Sequence, residues 1–354
     1  MSASTLEPAA NQMRVEPYMH GTVRFGVFDH LDDAGVETGE QYAERLQLIE
    51  ACDRAGLHAY HLAEHHGTPH GLAASPSLFL AAAAQRTSQL RLGPMVMLLN
   101  LYHPLRAFEE ICMLDQLSGG RIELGIGRGG VPMELEFFGV PVEQAQERYR
   151  EASEIVLKAM AGGTLTHHGR HFTLEAVPLA LSPLQRPHPP LWIGTGNPTT
   201  AAWAAEQKIN IACIGPAAAI RRLTDAYRMQ WRKMAHTGTM PLLGMVRFVV
   251  IADSDQEARA LGAPAYKRWL ATLLHLWRRS GVSAPYNLPG TLEGAIAAGL
   301  GAVGTSATVQ DALRGQIDEA GVNYVMCHLA FGDLPLTASL RTVAALKADI
   351  IPAL

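Results

Sequence analysis

The sequence of 354 residues lacks the features that mark secreted and membrane proteins. Its four cysteines, Cys52, Cys112, Cys213 and Cys327, form no C-x-x-C pair, which favours free buried thiols in a reducing compartment. No stretch has the ~18 consecutive apolar residues of a membrane span, and the N-terminus lacks an apolar signal core. We therefore expect a cytoplasmic protein that does not enter a membrane.

An excess of charge of either sign is also missing. Lysine and arginine number 29 and aspartate and glutamate 33, for a net charge of −4, so no broad basic surface predicts a nucleic-acid partner. Apolar residues make up 48%, enough for a large core, and charged residues 18%, too few for a disordered chain. The length suits one α/β barrel of about 250 residues plus insertions.

Strand-like and helix-like segments alternate along the chain. Eight segments read as strands: 22–28, 57–64, 90–99, 121–127, 191–196, 209–215, 242–252 and 322–332. Alternation predicts a parallel sheet, and a count of eight predicts a closed TIM (β/α)8 barrel. Two stretches interrupt the pattern and read as insertions, the second a possible lid: 162–190 and 280–305. We expect an N-terminal tail over 1–20 and a single domain over 21–354.

The stretch HLAEHHG, residues 61–67, allows two interpretations. His61, Glu64 and His65 spell H-x-x-E-H, a zinc-peptidase signature. Two histidines four apart share a metal on a helix, but Gly56 and Gly67 leave no room for one, and on a strand they lie about 13 Å apart. We therefore predict a strand and no metal, with His65 at the active face of the barrel. The other nearby histidines, His58 and His70, are read with His61 as ordinary polar residues.

Two glycine-containing turns follow strands and could bind an anion. Gly125, Gly127 and Gly130 match G-x-G-x-x-G, but the fourth place in a barrel is wrong for a dinucleotide fingerprint. Backbone N–H groups there, with Arg128, could instead form an anion nest; the alternative is a tight turn with a surface arginine.

The second turn follows the segment LWIG. Asn197 and the proline after it fit the N-cap and first position of a helix, whose N-terminus would face the barrel mouth and favour phosphate. An ordinary capped helix is the alternative. The segment GPMVMLLN, residues 93–100, is apolar and fits either the barrel core or the flat surface under a flavin or deazaflavin ring.

Three blocks of the sequence resemble the bacterial luciferase-like flavin-dependent monooxygenases. They are GLHAYHLAEHHG, HPLRAFEEICMLDQLSGGRIELGIGRG and LSPLQRPHPPLWIGTGNPTTAAWAAE. The likeness extends from about residue 23 to 354. It implies a TIM barrel that binds reduced FMN, delivered by a separate NAD(P)H-dependent flavin reductase. The flavin would form a C4a-(hydro)peroxide with oxygen and oxidise a small, partly hydrophobic organic substrate. A homodimer is a further expectation from the family.

The resemblance also implies roles for individual residues. His65 would be the catalytic acid/base, for which histidine is apt because its ordinary pKa is ~6.5. Glu64 would face the flavin, and Met95-Val96 would form a non-proline cis peptide beneath it. The phosphate ligands would be Arg128, Gly129, Gly196, Asn197 and Thr200. Substrate contacts are expected from Phe28, His66, Asn100 and His328.

Some positions depart from the family pattern, and other functions stay open. Gly127 stands where the luciferase α chain has a reactive cysteine, and Asn197 replaces a common serine. The first departure argues against light emission. An F420-dependent hydride-transfer enzyme and a non-catalytic flavin-binding protein are the alternatives on the same fold.

Overall fold

Short buried strands, most of them followed by a helix, make up most of the structure, a computed structural model that describes residues 23–285 and 287–354. The strands are β1 Arg24–Asp29, β2 Ala59–Leu62, β3 Arg91–Pro94, β4 Met97–Leu98, β5 Leu124–Gly127, β6 Thr164–His168, β7 Thr173–Pro178, β8 Leu191–Gly194, β9 Asn210–Cys213, β10 Leu243–Ile251, β11 Gly301–Gly304 and β12 Tyr324–His328. The α-helices are α1 Thr38–Ala55, α2 Pro76–Ala84, α3 Pro104–Leu117, α4 Pro132–Phe137, α5 Ala145–Ala159, α6 Pro198–Glu206, α7 Ala217–Lys233, α8 Asp255–Leu273, α9 His275–Ser280, α10 Leu292–Ala297, α11 Ser306–Ala320 and α12 Leu336–Ala345. The expected tail, 1–20, lies outside the described residues.

The main sheet is parallel and closes on itself. Its strand order is β3-β2-β1-β12-β10-β9-β8-β5-β4. β3 and β4 are two halves of one barrel strand, because β3 pairs with β2 while β4 pairs with β5. Counting them together gives eight strands in a ring, so the predicted TIM barrel is confirmed.

Apolar side chains fill both faces of the barrel wall, which is why the strands read as continuous apolar runs. A cluster inside the barrel includes Phe28, Met95, Trp192, Val246 and Met326. The larger cluster lies between the strands and the helices and holds Met97 and Leu99. The core interpretation of those two residues is therefore correct.

The two expected insertions differ from each other. Residues 162–190 contain an antiparallel hairpin, β6–β7, whose strands pair only with each other, as predicted. The loop-like interpretation of 280–305 is wrong over its second half, where α10 is followed by β11, a buried strand parallel to the far end of β10. The sequence does not predict this strand, because Gly301 to Gly304 are small residues and only Val303 is β-branched.

Helix boundaries differ from expectation in two places. The sequence pattern predicts one helix over 253–279, where the structure has two helices, α8 and α9, which meet at Leu274. The sequence pattern predicts no helix at α4, because Pro132 and Gly139 are residue types that commonly interrupt helices. Pro132 instead occupies the first turn, where proline is tolerated. Over the residues that the structure describes, no helix is long and apolar enough to cross a membrane.

Candidate active site

Strand register brings the predicted site residues to one end of the barrel. Leu62 pairs with Pro94, so the segments after β2 and β3, with His65 and Met95, are neighbours. Leu98 pairs with Gly127, and β5 in turn pairs with β8. The C-terminal ends of these strands therefore form a continuous arc from His65 to the turn after β8, as expected for a barrel enzyme.

A buried carboxylate orients His65. Its Nδ1 lies 3.0 Å from Oε1 of Glu134, whose exposed fraction is 2%. The same oxygen accepts the backbone N–H of His66 at 3.0 Å. Because a carboxylate only accepts hydrogen bonds, Nδ1 of His65 donates and Nε2 keeps its lone pair when the ring is neutral. Glu134 lies on the unexpected helix α4, so sequence reasoning missed it.

Glu64 is buried beside His65 but is bound by protein groups. Its Oε1 lies 2.8 Å from Nε2 of His66, and its Oε2 accepts the backbone N–H of Leu98 at 3.0 Å. Tyr102 also hydrogen-bonds the carboxylate; burial first, and the Glu64 charge second, raise the pKa of this phenol. Glu64 therefore braces β4 and His66, and its contact with a cofactor stays a prediction.

The peptide between Met95 and Val96 is cis, which confirms the expectation from the resemblance. It joins β3 to β4, and Met95 is packed inside the barrel. Gly127 faces this peptide from β5: a Cβ added there would lie 2.3 Å from Cγ2 of Val96. The luciferase α chain has a cysteine at the position of Gly127. In this chain the glycine leaves the space that the Val96 side chain occupies.

Arg128 follows β5 at the surface with its guanidinium available. The structure shows no hydrogen bond or ion pair from this side chain to another described residue. Its carbonyl accepts Nδ2 of Asn100 at 2.7 Å, and the same amide also donates to Ala145. Gly129 has a φ of 87°, a conformation that favours glycine. Asn100, expected to contact substrate, thus uses its amide N–H groups to hold the Arg128 turn.

The turn after β8 forms the second half of a possible phosphate site. Asn197 caps α6 by accepting the N–H of Thr199 at 2.8 Å, as its N-cap assignment predicted. A Cβ added at Gly196 would meet nothing within 4 Å, so open space lies over this backbone. Thr200 lies in the first turn of α6 and is half-buried. A shallow pocket at this turn is also lined by Arg222, a residue that the sequence reasoning missed.

The other two residues expected to contact substrate are buried. Phe28 lies inside the barrel with an exposed fraction of 6%, and His328 has 1%. Among the described residues, Nε2 of His328 has no hydrogen-bond partner. Burial lowers the pKa of His328 to about 3, with the Arg45 charge a smaller cause. His328 is therefore a neutral imidazole beside the barrel core, and its contact with substrate stays a prediction.

A group of buried histidines lies next to His65. The His30 ring is 5.7 Å from the His65 ring and 4.1 Å from the His70 ring. Reading His70 as an ordinary polar loop residue was wrong, since its exposed fraction is 2%. His30 follows β1 directly, and the rule that barrel strands end at the active face would have found it had the segment been extended past Phe28.

The two histidines of the H-x-x-E-H stretch contact different partners, His61 the Tyr324 hydroxyl and His65 the Glu134 carboxylate. β2 is a strand, as predicted, and His61 lies inside the barrel with Nε2 2.9 Å from the Tyr324 hydroxyl. His61 does not face the helix layer, because its ring also packs edge-on against Trp192 in the barrel interior. Glu64 is directed to His66 instead of His61 or His65.

The fold and the site together define a (β/α)8-barrel protein whose polar side chains gather at the C-terminal ends of its strands. Residues 23–324 match the family model of luciferase-like monooxygenases, and the chain belongs to this family. It is 53% identical over 328 residues to the uncharacterized protein y4wF of Sinorhizobium fredii, covering 92% of this chain and 96% of the other. It is 27% identical to the oxygenase component of a flavin-dependent trigonelline monooxygenase of Acinetobacter baylyi, covering 67% of each chain.

Solved structures share the whole fold. Monooxygenase RslO1 of Streptomyces bottropensis superposes with a TM-score of 0.84 at 26% identity, covering 93% of this chain and 99% of that one. The oxygenating constituent of 3,6-diketocamphane monooxygenase of Pseudomonas putida, solved with FMN, has a TM-score of 0.80 at 21% identity over 94% and 99%. An F420-dependent reductase of Methanopyrus kandleri has a TM-score of 0.70 at 18% identity over 94% and 99%. The last two show the fold alone.

Proposed function

We propose that this chain is the oxygenase component of a two-component, FMN-dependent monooxygenase that acts on a small, partly hydrophobic organic substrate. One arrangement carries the proposal: strand pairing puts the exposed Arg128 and the start of α6 at the same end of the barrel as the apolar Met95–Val96 peptide and the oriented His65. An anion site, a flat apolar surface and a proton carrier thus follow one another along the arc of strand ends.

The residues at this arc fit FMN. A phosphate needs several N–H donors and a positive charge, and the open backbone at Gly196, the first turn of α6 and Arg128 supply them. The isoalloxazine ring needs an apolar surface, and Met95 with Val96 offers one beside the barrel interior. Gly129 and Thr200 belong to the two phosphate-binding turns, as the resemblance implies.

When bound, reduced FMN would supply the electrons that activate dioxygen. The protein excludes water, carries a proton and supports the surface under the ring. The apolar barrel interior under Met95 keeps water away from the reacting atoms, which limits unproductive loss of the activated oxygen. His65 holds or moves a proton at Nε2, while Glu134 fixes the ring through Nδ1. Glu64 secures β4 through the backbone of Leu98 and so keeps the surface under the ring in place.

The proposal includes a separate flavin reductase, because the related trigonelline enzyme is named an oxygenase component. A homodimer and a single domain from residue 21 remain predictions. A location in the cytoplasm is part of the proposal, since all four cysteines are buried and free.

Cofactor choice and oxygen use test the proposal directly. We expect the protein to bind reduced FMN more tightly than reduced F420 in anaerobic titrations, and to consume oxygen faster when a panel of hydrophobic substrates is added. Product mass spectra should show one oxygen atom from labelled dioxygen. Preferential binding of F420 would instead support hydride transfer, and flavin binding without any substrate-dependent oxygen uptake would support a non-catalytic role.

Replacing Arg128 with alanine should weaken FMN binding by about 10- to 100-fold, the loss expected for one or two charge-assisted hydrogen bonds of about 1.5–3 kcal/mol. Riboflavin, which lacks the phosphate, should bind wild type and Arg128→Ala equally. The matched control is Arg170→Ala, an exposed arginine on the hairpin that pairs with Glu147. Equal losses for FMN and riboflavin would show that Arg128 supports the turn and does not contact phosphate.

A further inference from the structure

Three histidines meet at the barrel mouth. His30 follows β1, while His65 and His70 lie in the segment after β2. One ring nitrogen from each lies within 4.8 Å of the others. His30 and His70 are buried, with exposed fractions of 7% and 2%, and the His65 side chain is 20% exposed. The cluster therefore opens to solvent on the His65 side only.

Hydrogen bonds occupy Nδ1 of both His65 and His70 and leave their Nε2 atoms as the free ligand atoms. Thr272 donates its hydroxyl hydrogen to the Trp269 carbonyl at 2.8 Å, so Nδ1 of His70, 3.0 Å from the same hydroxyl, must donate. Nε2 of His70 then carries a lone pair, and it has no hydrogen-bond partner among the described residues. Nδ1 of His65 is held by the buried Glu134 carboxylate. A histidine held by a carboxylate through its far nitrogen is the usual arrangement of a metal ligand.

The third ring is held more loosely. The Trp269 indole N–H donates to Nδ1 of His30 at 3.4 Å, which is long for a hydrogen bond, so this contact constrains the buried ring only weakly. Burial first, and the neighbouring histidines second, lower the pKa of both His30 and His70 well below 6.5. Both rings are therefore neutral at pH 7, as imidazole ligands must be.

We propose that His30, His65 and His70 form a binding site for a divalent transition-metal cation, for which Zn²⁺ is the best match. Three imidazole nitrogens with a fourth, open position form a known zinc coordination, with Zn–N distances of about 2.0–2.1 Å. Such distances bring the nitrogens closer together than 4.8 Å, so metal binding requires the His30 ring to rotate away from its long contact with Trp269. The open position faces the mouth on the side of His65.

This metal site goes beyond the proposed oxygenase function, and metal binding would compete with proton transfer at His65. The cation would take the Nε2 lone pair of His65, which the oxygenase uses for proton transfer. Bound zinc should therefore inhibit turnover reversibly, and removal by EDTA should restore it. Zinc binding itself is measured without substrate or flavin, so it stands or fails independently of the monooxygenase activity.

The test is a titration of untagged, EDTA-treated full-length protein with Zn²⁺ against a chromophoric chelator, repeated with Co²⁺. We expect one equivalent of Zn²⁺ per chain and the visible absorption bands of four-coordinate Co²⁺. His70→Gln should lower the affinity at least tenfold, while His103→Gln, an exposed histidine at the start of α3, should leave it unchanged. Circular dichroism and Tm verify that each variant is folded.

Glu134→Gln serves as a second variant should His70→Gln fail to fold. It keeps all three ligands and should still weaken zinc by about 10- to 100-fold, the usual cost of losing such a partner. Failure of wild type to bind a stoichiometric equivalent would overturn the proposal. Equal zinc affinity in wild type and in a folded His70→Gln protein would overturn it as well, since binding would then lie elsewhere.

Discussion

Replacement of His65 by alanine should lower turnover about 10²- to 10⁴-fold while FMN affinity stays within a few-fold of wild type. The range is that of a positioned acid/base. His65 is well placed for this role because Glu134 fixes its Nδ1 and its side chain is partly exposed at the strand end beside Met95. Steady-state rates with reduced FMN, oxygen and an active substrate, together with flavin titration, measure the two effects separately.

The neighbouring variants distinguish proton transfer from support. Glu134→Gln keeps the shape of the side chain and removes its charge, so we expect a smaller fall in kcat with a shifted pH–rate profile. His103→Gln is the matched control, because His103 is exposed and its ring contacts Phe172 instead of the site histidines. Turnover by His65→Ala at the wild-type rate would exclude the residue as the proton carrier. A loss of flavin affinity equal to the loss of rate would assign it to cofactor binding.

The protein should lose stability steeply as the pH falls below about 6.5. Burial is the largest cause of a lowered pKa for five histidines, with His61 and His328 at about 3, His58 at about 4, and His30 and His70 well below 6.5. Below pH 6.5 the histidines bind protons in the unfolded chain but not in the folded chain. The free energy of unfolding is therefore highest above that pH and falls as the pH approaches the folded pKa values. Each such histidine contributes about 1.4 kcal/mol per pH unit.

Asp32 opposes this trend. Burial raises its pKa to about 7, so the folded state binds a proton there that the unfolded state releases, and this group favours folding as the pH falls from about 7 to 4. One carboxyl offsets about one of the five histidines. The net slope should therefore remain near four protons, or about 5 kcal/mol per pH unit.

Urea unfolding between pH 7.5 and 5 measures this slope. His328→Phe should reduce it by about one proton, because Nε2 of His328 has no partner among the described residues and the ring stacks on Phe248. His103→Gln, on the surface, should leave the slope unchanged. A free energy of unfolding that is flat from pH 7 to 5 would contradict the prediction, as would an unaltered slope in His328→Phe.

Particular residues show how far sequence reasoning reached. Local patterns predicted β2 across HLAEH and the cap of α6 at Asn197, because chain-breaking glycines and capping residues act on their immediate neighbours. The resemblance implied the cis peptide at Met95-Val96, which no local pattern encodes. β11 was missed because its pairing with β10 depends on a strand about fifty residues earlier in the chain.

The sequence by itself determined the alternating strands and helices, the barrel, and the membership of His65 and Arg128 in the active face, because strand period and strand-end position are local properties. Only the tertiary structure decided which side chains meet there. Glu134 reaches His65 from 69 residues away, and Thr272 reaches His70 from 202 residues away. Barrel closure brings these segments together, and the spacing of these residues in the sequence does not predict either contact. The histidine cluster and the orientation of His65 therefore belong to the folded molecule.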